Sequence, residues 1–461
     1  MEASLIMQKA LDAMPFEPVP SQLAVMMSMS EFIVNPDPRL VFVLNGYAGT
    51  GKTSVVGAMI RALDSLKRPV VVLAPTGRAA KVASALSSHE SSTIHRRLFR
   101  PVMSEAGAKS WFIAPNQCRD TLFIVDEASL IPDREGDPRS LLKVLVDYVH
   151  SAPGCRMVLI GDEAQLPPVG QEFATAMNPE RLKQLGLTPI CTTLDVPLRQ
   201  ASDSGIVHNA TLVRSFLFND PLPSEVSLEL SGFPDIMAVS SLELAELLAD
   251  SYSQVGQDET LIITRSNRRA NDFNRQIRAR VLYADSPVQT GDRLVISKND
   301  YFWSKDRKHR LIANGDMACV KWVGKTEKMY GRYFTEVELE LSEGNMVTAQ
   351  LMLRSLVCEG PSIPRDEMDR FTSRALAEQE GVLSERLKAL DEDPYYNALQ
   401  AKYAYCVTCH KAQGGQWSHV YIDMGGIAPE QFDEAFYRWL YTAVTRATSK
   451  VYLINPTFPL S

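Results

Sequence analysis

The chain has 461 residues, a net charge of −7, 45% hydrophobic and 22% charged residues. It is too long for one ordinary core and has the composition of a soluble globular protein of about three domains. The acidic balance argues against a protein that coats nucleic acid over its whole surface, yet leaves room for a local basic groove. No run of about 18 apolar residues suggests a membrane span. The first residues, with Glu2, Lys9 and Asp12, lack the layout of a signal peptide. Seven scattered cysteines suit reduced thiols, so a cytoplasmic protein is expected.

Short apolar runs recur at Leu40–Leu44, Val70–Leu73, Leu122–Val125, Met157–Ile160, Leu261–Ile263, Val420–Ile422 and Val451–Ile454. They predict strands buried on both faces of parallel sheets, and their alternation with helix patterns predicts an α/β fold. Ligands of such sheets gather at the C-terminal ends of the strands. Between Gly291 and about Ala404 the pattern changes. Val320–Val323 and Glu336–Leu341 read as strands of an antiparallel meander, with turns at Gly291–Arg293, Asn314–Asp316 and Glu343–Asn345. Pro364 to Leu399 reads as helical and charged. This stretch is expected to be a domain inserted into a second α/β unit.

The first apolar run leads into Gly46-Tyr47-Ala48-Gly49-Thr50-Gly51-Lys52-Thr53, followed by a helix pattern over Val55–Leu66. Glycines at Gly46, Gly49 and Gly51 let successive backbone N–H groups turn onto phosphates, aided by the helix N-terminus that includes Ser54. Lys52 would reach the β- and γ-phosphates and Thr53 would hold Mg²⁺. Leu122–Val125 ends in Asp126-Glu127. Asp126 would coordinate Mg²⁺ and Glu127 would orient or deprotonate the attacking water, although an Asp before a helix start also serves as a cap. Met157–Ile160 ends in Gly161-Asp162-Glu163-Ala164-Gln165. Gln165 could sense the γ-phosphate, or the segment could be an ordinary turn. Arg199 and Arg446 are candidate arginine fingers.

Basic residues cluster at Arg96, Arg97 and Arg100, at Arg265, Arg268, Arg269, Arg275, Arg278 and Arg280, and at Lys305, Arg307, Lys308 and Arg310. Each cluster reads equally well as a phosphate-binding patch or a solvated face. Cys406 and Cys409 form a CxxC, but no second Cys or His pair lies at zinc-ligand spacing.

The ordered set of motifs resembles superfamily 1 helicases, within them the group B branch of RecD-like and Dda-like proteins. Pro20-Ser21-Gln22 resembles the glutamine motif that reads adenine. Ala74 to Lys81, Ser92-Thr93-Ile94-His95, Asp126 to Ser129, Gly161 to Gly170, Leu198-Arg199-Gln200, Thr408 to Gly414 and Tyr441 to Arg446 resemble the later motifs in order. The resemblance implies two RecA-like P-loop domains. The first, 1A, would hold 1–95 and 119–205, and the second, 2A, would hold 206–290 and 405–461. A small 1B pin would occupy 96–118, with Trp111 or Phe112 as a wedge or as local core. An SH3-like barrel with a helical segment, domain 2B, would occupy 291–404. Gln22 and Gly414 would join the ATP site. Thr76, Arg78, Thr93, His95, Thr408 and His410 would meet single-stranded DNA. Also implied are 5′–3′ translocation, unwinding at single-strand/duplex junctions, ATP with Mg²⁺, and roles in DNA replication, recombination or repair. Replication or recombination proteins, a single-strand-binding protein among them, would be partners. Nothing demands an oligomer, so a monomer is expected. Asp195 departs from the family, which has Thr ahead of the motif IV arginine. A translocase that strips proteins, a scaffold with a silent nucleotide site and a small-molecule phosphotransferase remain as rivals. Lys52, Asp126, Glu127 and both arginines count against the scaffold, and the later motifs against the phosphotransferase.

Overall fold

The computed structural model describes residues 3–87, 89, 91–103, 109–197, 203–219, 221–223, 227–303, 312–341, 344–427 and 431–457. Two parallel sheets flanked by helices form its frame. The first has six strands in the order Ser91–Thr93, Val70–Ala74, Leu122–Val125, Arg156–Gly161, Leu40–Gly46 and Thr188–Leu194. The second has five, in the order Cys406–Thr408, Thr260–Thr264, Trp417–Asp423, Ala447–Ile454 and Ile236–Val239. The apolar runs seen in the sequence are the inner strands of both. Leu40–Gly46 and Leu122–Val125 are buried at every position, because helices cover both faces.

Burial of apolar side chains on both sides of each sheet is the main stabilising term. Phe42, Leu44, Val158 and Ile160 share one core with Ile6, Met26, Met29 and Phe32 from the two N-terminal helices, Ala3–Asp12 and Pro20–Val34. On the other face, Val41, Val43, Phe123 and Val125 pack on the helix Leu141–His150.

A third sheet interrupts the second. It is antiparallel, in the order Met346–Met352, Arg332–Leu341, Met317–Met329, Arg293–Ile296 and Ala401–Tyr403. Arg293, expected in a turn, instead opens a strand. The helices Arg365–Ala377 and Leu383–Glu392 lie between the fourth and fifth strands of this sheet in chain order, and Phe371 and Leu390 pack with Phe334 and Met352. A two-stranded antiparallel ribbon, Phe99–Met103 with Lys109–Ile113, projects from the first sheet's unit.

Three arginines of the helix Asn267–Arg280 are engaged by carboxylates. Arg278 pairs with Asp292 through Nε and Nη2, both at 3.0 Å, and Asp292 also accepts the Tyr405 hydroxyl and the Gln289 N–H. Arg269 grips both oxygens of Asp423, and Arg275 pairs with Asp272. Near the ribbon, Arg100 donates to the carbonyl oxygens of Arg96, Arg97 and Phe99, and Arg97 donates to Cys118 Sγ. The cluster Lys305, Arg307, Lys308 and Arg310 lies outside the described residues.

Asp292 is fully buried, so removing its charge strands a buried guanidinium. Asp292→Ala is expected to cost about 3–5 kcal/mol, read as a lowered denaturation midpoint. A change under 1 kcal/mol would show that the pair does not hold the third sheet on the second.

Candidate functional site

The phosphate loop sits where the strand Leu40–Gly46 meets the helix Lys52–Ser65. Gly49 and Gly51 adopt φ of 73° and 75°, left-handed values that glycine takes without strain. Gly46 is needed for space, since a Cβ there would lie 2.7 Å from Lys52 Cδ. Lys52 folds back over the loop, with Nζ donating to the Gly46 oxygen at 3.1 Å and the Gly161 oxygen at 3.3 Å. Thr50 donates its hydroxyl to the Tyr47 oxygen and fixes the loop's curvature.

Gln22 is placed differently from expectation. It is fully buried, its Nε2 donates to the Thr50 oxygen at 3.0 Å, and its Oε1 accepts the Val19 N–H at 3.1 Å. The amide therefore braces the phosphate loop from behind. It is absent from the residues that line the cleft.

Asp126 and Glu127 follow the inner strand Leu122–Val125 at its C-terminal end. Asp126 Oδ1 accepts the Glu127 N–H at 2.9 Å. Removal from water, and then the neighbouring Glu127 charge, push the Asp126 carboxyl up to about 6. Glu127 stands at φ 51°, a left-handed value that costs a residue with a side chain. Its Oε2 is buried with no partner among the described residues, as is Gln165 Oε1. Two acceptors held without partners at the edge of a phosphate loop are unusual outside a site that will receive donors.

These groups line one cavity of about 230 Å³. One wall carries Gly46, Gly49, Gly51, Lys52, Thr53, Asp126, Glu127 and Gln165; the other carries Gly414, Thr445 and Arg446 from the second sheet's unit. Ser54 is half-buried on the helix behind Thr53. Arg446 is 4% exposed and donates to the Thr442 and Gly415 oxygens and to Thr445 Oγ1. Arg199 lies outside the described residues. Asp195 contributes its carbonyl oxygen to Arg214 Nη2. The hydroxyl of Thr53 and the carboxylate of Asp126 are hard oxygen donors, a set suited to Mg²⁺ held together with a triphosphate.

The two units are stitched together next to this cavity. Tyr441 donates its hydroxyl to Asp162 Oδ2 at 2.7 Å and accepts the Ala48 N–H at 3.0 Å. The Leu166 N–H reaches Thr442 Oγ1, Gln413 Nε2 reaches the Leu166 oxygen, and Arg438 reaches the oxygens of Glu163 and Gln165. Glu163 in turn accepts from Asn45 Nδ2 and the Tyr47 hydroxyl. Sequence reading assigned no role to Tyr441, Asp162 or Glu163. Tyr441 stands at the head of a recognised motif, which was the available signal.

A second surface runs over the C-terminal edges of both sheets. Thr76 Oγ1 accepts the Ala79 N–H, and Thr93 Oγ1 accepts the Arg96 N–H, so both threonines cap helices. Their hydroxyl hydrogens remain to donate. His95 packs against Phe99, and burial lowers its basicity. Thr408 ends its strand and His410 is exposed two residues on. The two edges meet: a Cβ on Gly414, which sits at φ 71°, would lie 3.1 Å from Thr76 Oγ1. Arg78 departs from its expected DNA contact. It stacks at 3.9 Å on the Trp417 ring and donates to the Gln416 oxygen, which joins the two units instead. On the ribbon, Phe112 is 45% exposed, whereas the Trp111 side chain lies outside the described set. All seven cysteines are free thiols, Cys406 and Cys409 buried, and no metal-holding group of three His, Cys, Asp or Glu occurs among the described residues.

Residues 30–204 match the model of the AAA domain, and residues 403–454 match that of the UvrD-like helicase C-terminal domain. The chain is 28% identical over 286 residues to the ATP-dependent RecD2 DNA helicase of Deinococcus radiodurans, covering 61% of this chain and 36% of that one. It is 36% identical over 129 residues to the ATP-dependent DNA helicase dda of Enterobacteria phage T4, covering 27% and 28%. It thus spans about a third of the length of these relatives. A Pif1 helicase structure from Bacteroides superposes over 95% of this chain and 92% of its own, with TM-score 0.50 and 14% identity. Over the matched residues the chain is similar to RecD- and Dda-type helicases, and its fold is that of a Pif1 helicase. Its two parallel sheets are the two RecA-like domains of that fold. No helix among the described residues is long and apolar enough to cross a membrane.

Proposed function

We propose that this chain is an ATP-driven DNA helicase that moves 5′ to 3′ on single-stranded DNA and opens duplexes at single-strand/duplex junctions. The observation that carries the reading is the shared cavity, with Lys52, Asp126 and Glu127 on one wall and Arg446 on the other. An ATP site split between two RecA-like domains makes hydrolysis depend on their closure, which is what a stepping motor requires. Mg²⁺ held by Thr53 and Asp126 would neutralise phosphate charge, Lys52 would hold the phosphates, and Glu127 would orient water. Thr76, Thr93, His95, Thr408 and His410 would grip the strand through its phosphates, giving weak sequence preference and strong salt dependence.

The domain division expected from sequence completes the reading. The ribbon Phe99–Met103 with Lys109–Ile113 is assigned to the 1B pin, with Phe112 as its exposed wedge, and the antiparallel sheet from Arg293 to Tyr403 to domain 2B. The protein would act as a cytoplasmic monomer, since one chain supplies both walls of the cleft, and would meet replication or recombination proteins on DNA.

Adding single-stranded DNA is expected to raise ATP turnover of the wild-type protein, and Lys52→Ala to lower it by about 10²–10³-fold. Wild-type turnover in Lys52→Ala would overturn the site. Turnover indifferent to single strands would remove DNA as the track.

A further inference from the structure

We propose that Tyr441 is a positioning residue that couples the phosphate loop to the arginine-bearing wall of the cleft. The inference rests on the ATP-site reading above. Tyr441 is 1% exposed on the helix Glu434–Val444, five residues before Arg446. Its hydroxyl is shared between two groups of the opposite domain, Ala48 and Asp162. An ionised carboxylate only accepts, so the phenol proton must point to Asp162 Oδ2, at 2.7 Å. That leaves the phenol oxygen to accept the Ala48 N–H, at 3.0 Å.

Ala48 belongs to the loop whose N–H groups receive phosphate, and Asp162 immediately precedes the segment that carries Gln165. Beside the cavity, the hydrogen bonds of Thr442, Gln413 and Arg438 end on residues 163–166, while Arg214 of the second unit donates to the Asp195 oxygen and stacks at 4.1 Å on the Tyr47 ring. Of these hydrogen bonds, the one to Tyr441 is made by a backbone N–H of the phosphate loop itself. A phosphoryl group arriving there either takes the Ala48 N–H or places negative charge beside it. Both changes act on the phenol, whose bond to a charged group is buried and therefore strong. Little more than one helical turn carries the disturbance to Arg446.

Tyr441→Phe deletes one oxygen and keeps the ring that packs in the core, so it separates coupling from packing. The expected result is a loss of about tenfold or more in kcat for DNA-stimulated ATP hydrolysis, with KM and the Kd for a fluorescent ADP within about twofold of wild type. Asp162→Asn, which preserves volume, should give a loss of similar size, and the double variant should be no worse than the more impaired single. Wild-type kcat in Tyr441→Phe, a loss confined to KM, or additive losses in the double variant would overturn the inference. Should Tyr441→Phe fail to fold, Asp162→Asn alone decides: wild-type kcat in that variant contradicts the coupling. Failure of the underlying reading looks different, because Lys52→Ala would then hydrolyse ATP as the wild type does.

Discussion

Arg446→Ala is expected to lower kcat for DNA-stimulated ATP hydrolysis by about 10³–10⁵-fold while ATP still binds. Phosphoryl transfer gathers negative charge on the transferring oxygens, and a guanidinium fixed across the cleft stabilises that charge without having to reorganise. The guanidinium of Arg446 is fixed in place. Three of its five N–H donors engage the Thr442 and Gly415 oxygens and Thr445 Oγ1, so the planar group cannot swing away. The residue lines a cavity shared with Lys52. Single-turnover hydrolysis beside equilibrium nucleotide binding measures the effect. A variant with weakened binding but normal single-turnover rate would mean that Arg446 holds the ground state only. Because the residue is buried, its melting temperature must be compared with that of wild type.

Glu127→Gln should lower kcat by about 10²–10⁴-fold, the usual contribution of a positioned general base. Its Oε2 is withdrawn from water and unpartnered, and its backbone is held at a strained φ of 51°. That arrangement keeps an unpartnered acceptor at the cleft, as the proposed water-orienting role requires. Removing the charge also relieves the repulsion that raises the neighbouring Asp126 carboxyl, so ATP affinity should hold or rise. A trapped ATP complex, seen as stoichiometric bound ATP with slow turnover, is the expected product. Turnover near the wild-type rate would move the base elsewhere.

The parts of this molecule that were legible in sequence are those whose physics is local. Leu40–Leu44 and Leu122–Val125 are apolar at every position because both faces are covered, and each delivers its motif at the strand's end. Ser91–Thr93, Ile236–Val239 and Cys406–Thr408 are short strands at the edges of their sheets and are not wholly apolar runs buried on both faces, so tertiary pairing makes them strands. Thr188–Leu194 is an edge strand with mixed exposure and carries no continuous apolar run.

Long-range partners were hidden for a different reason. Arg269 looks like a free cation until the fold brings Asp423 to it from 154 positions away. Arg78 looks like a DNA contact until Trp417 lies under it. Gln22 keeps its place beside the phosphate loop, but both ends of its amide are engaged by backbone. Tyr441 and Asp162 lie 279 positions apart, and nothing in either motif reveals the bond. Sequence patterns report what a residue can do; the partners that use up its donors and acceptors are set by the fold.

The most direct test of the central claim is unwinding of a short duplex that bears either a 5′ or a 3′ single-stranded tail, with Mg-ATP and Lys52→Ala as control. The account predicts unwinding of the 5′-tailed duplex by the wild type alone. Unwinding from the 3′ tail only, or of neither duplex while single strands still stimulate hydrolysis, would contradict it.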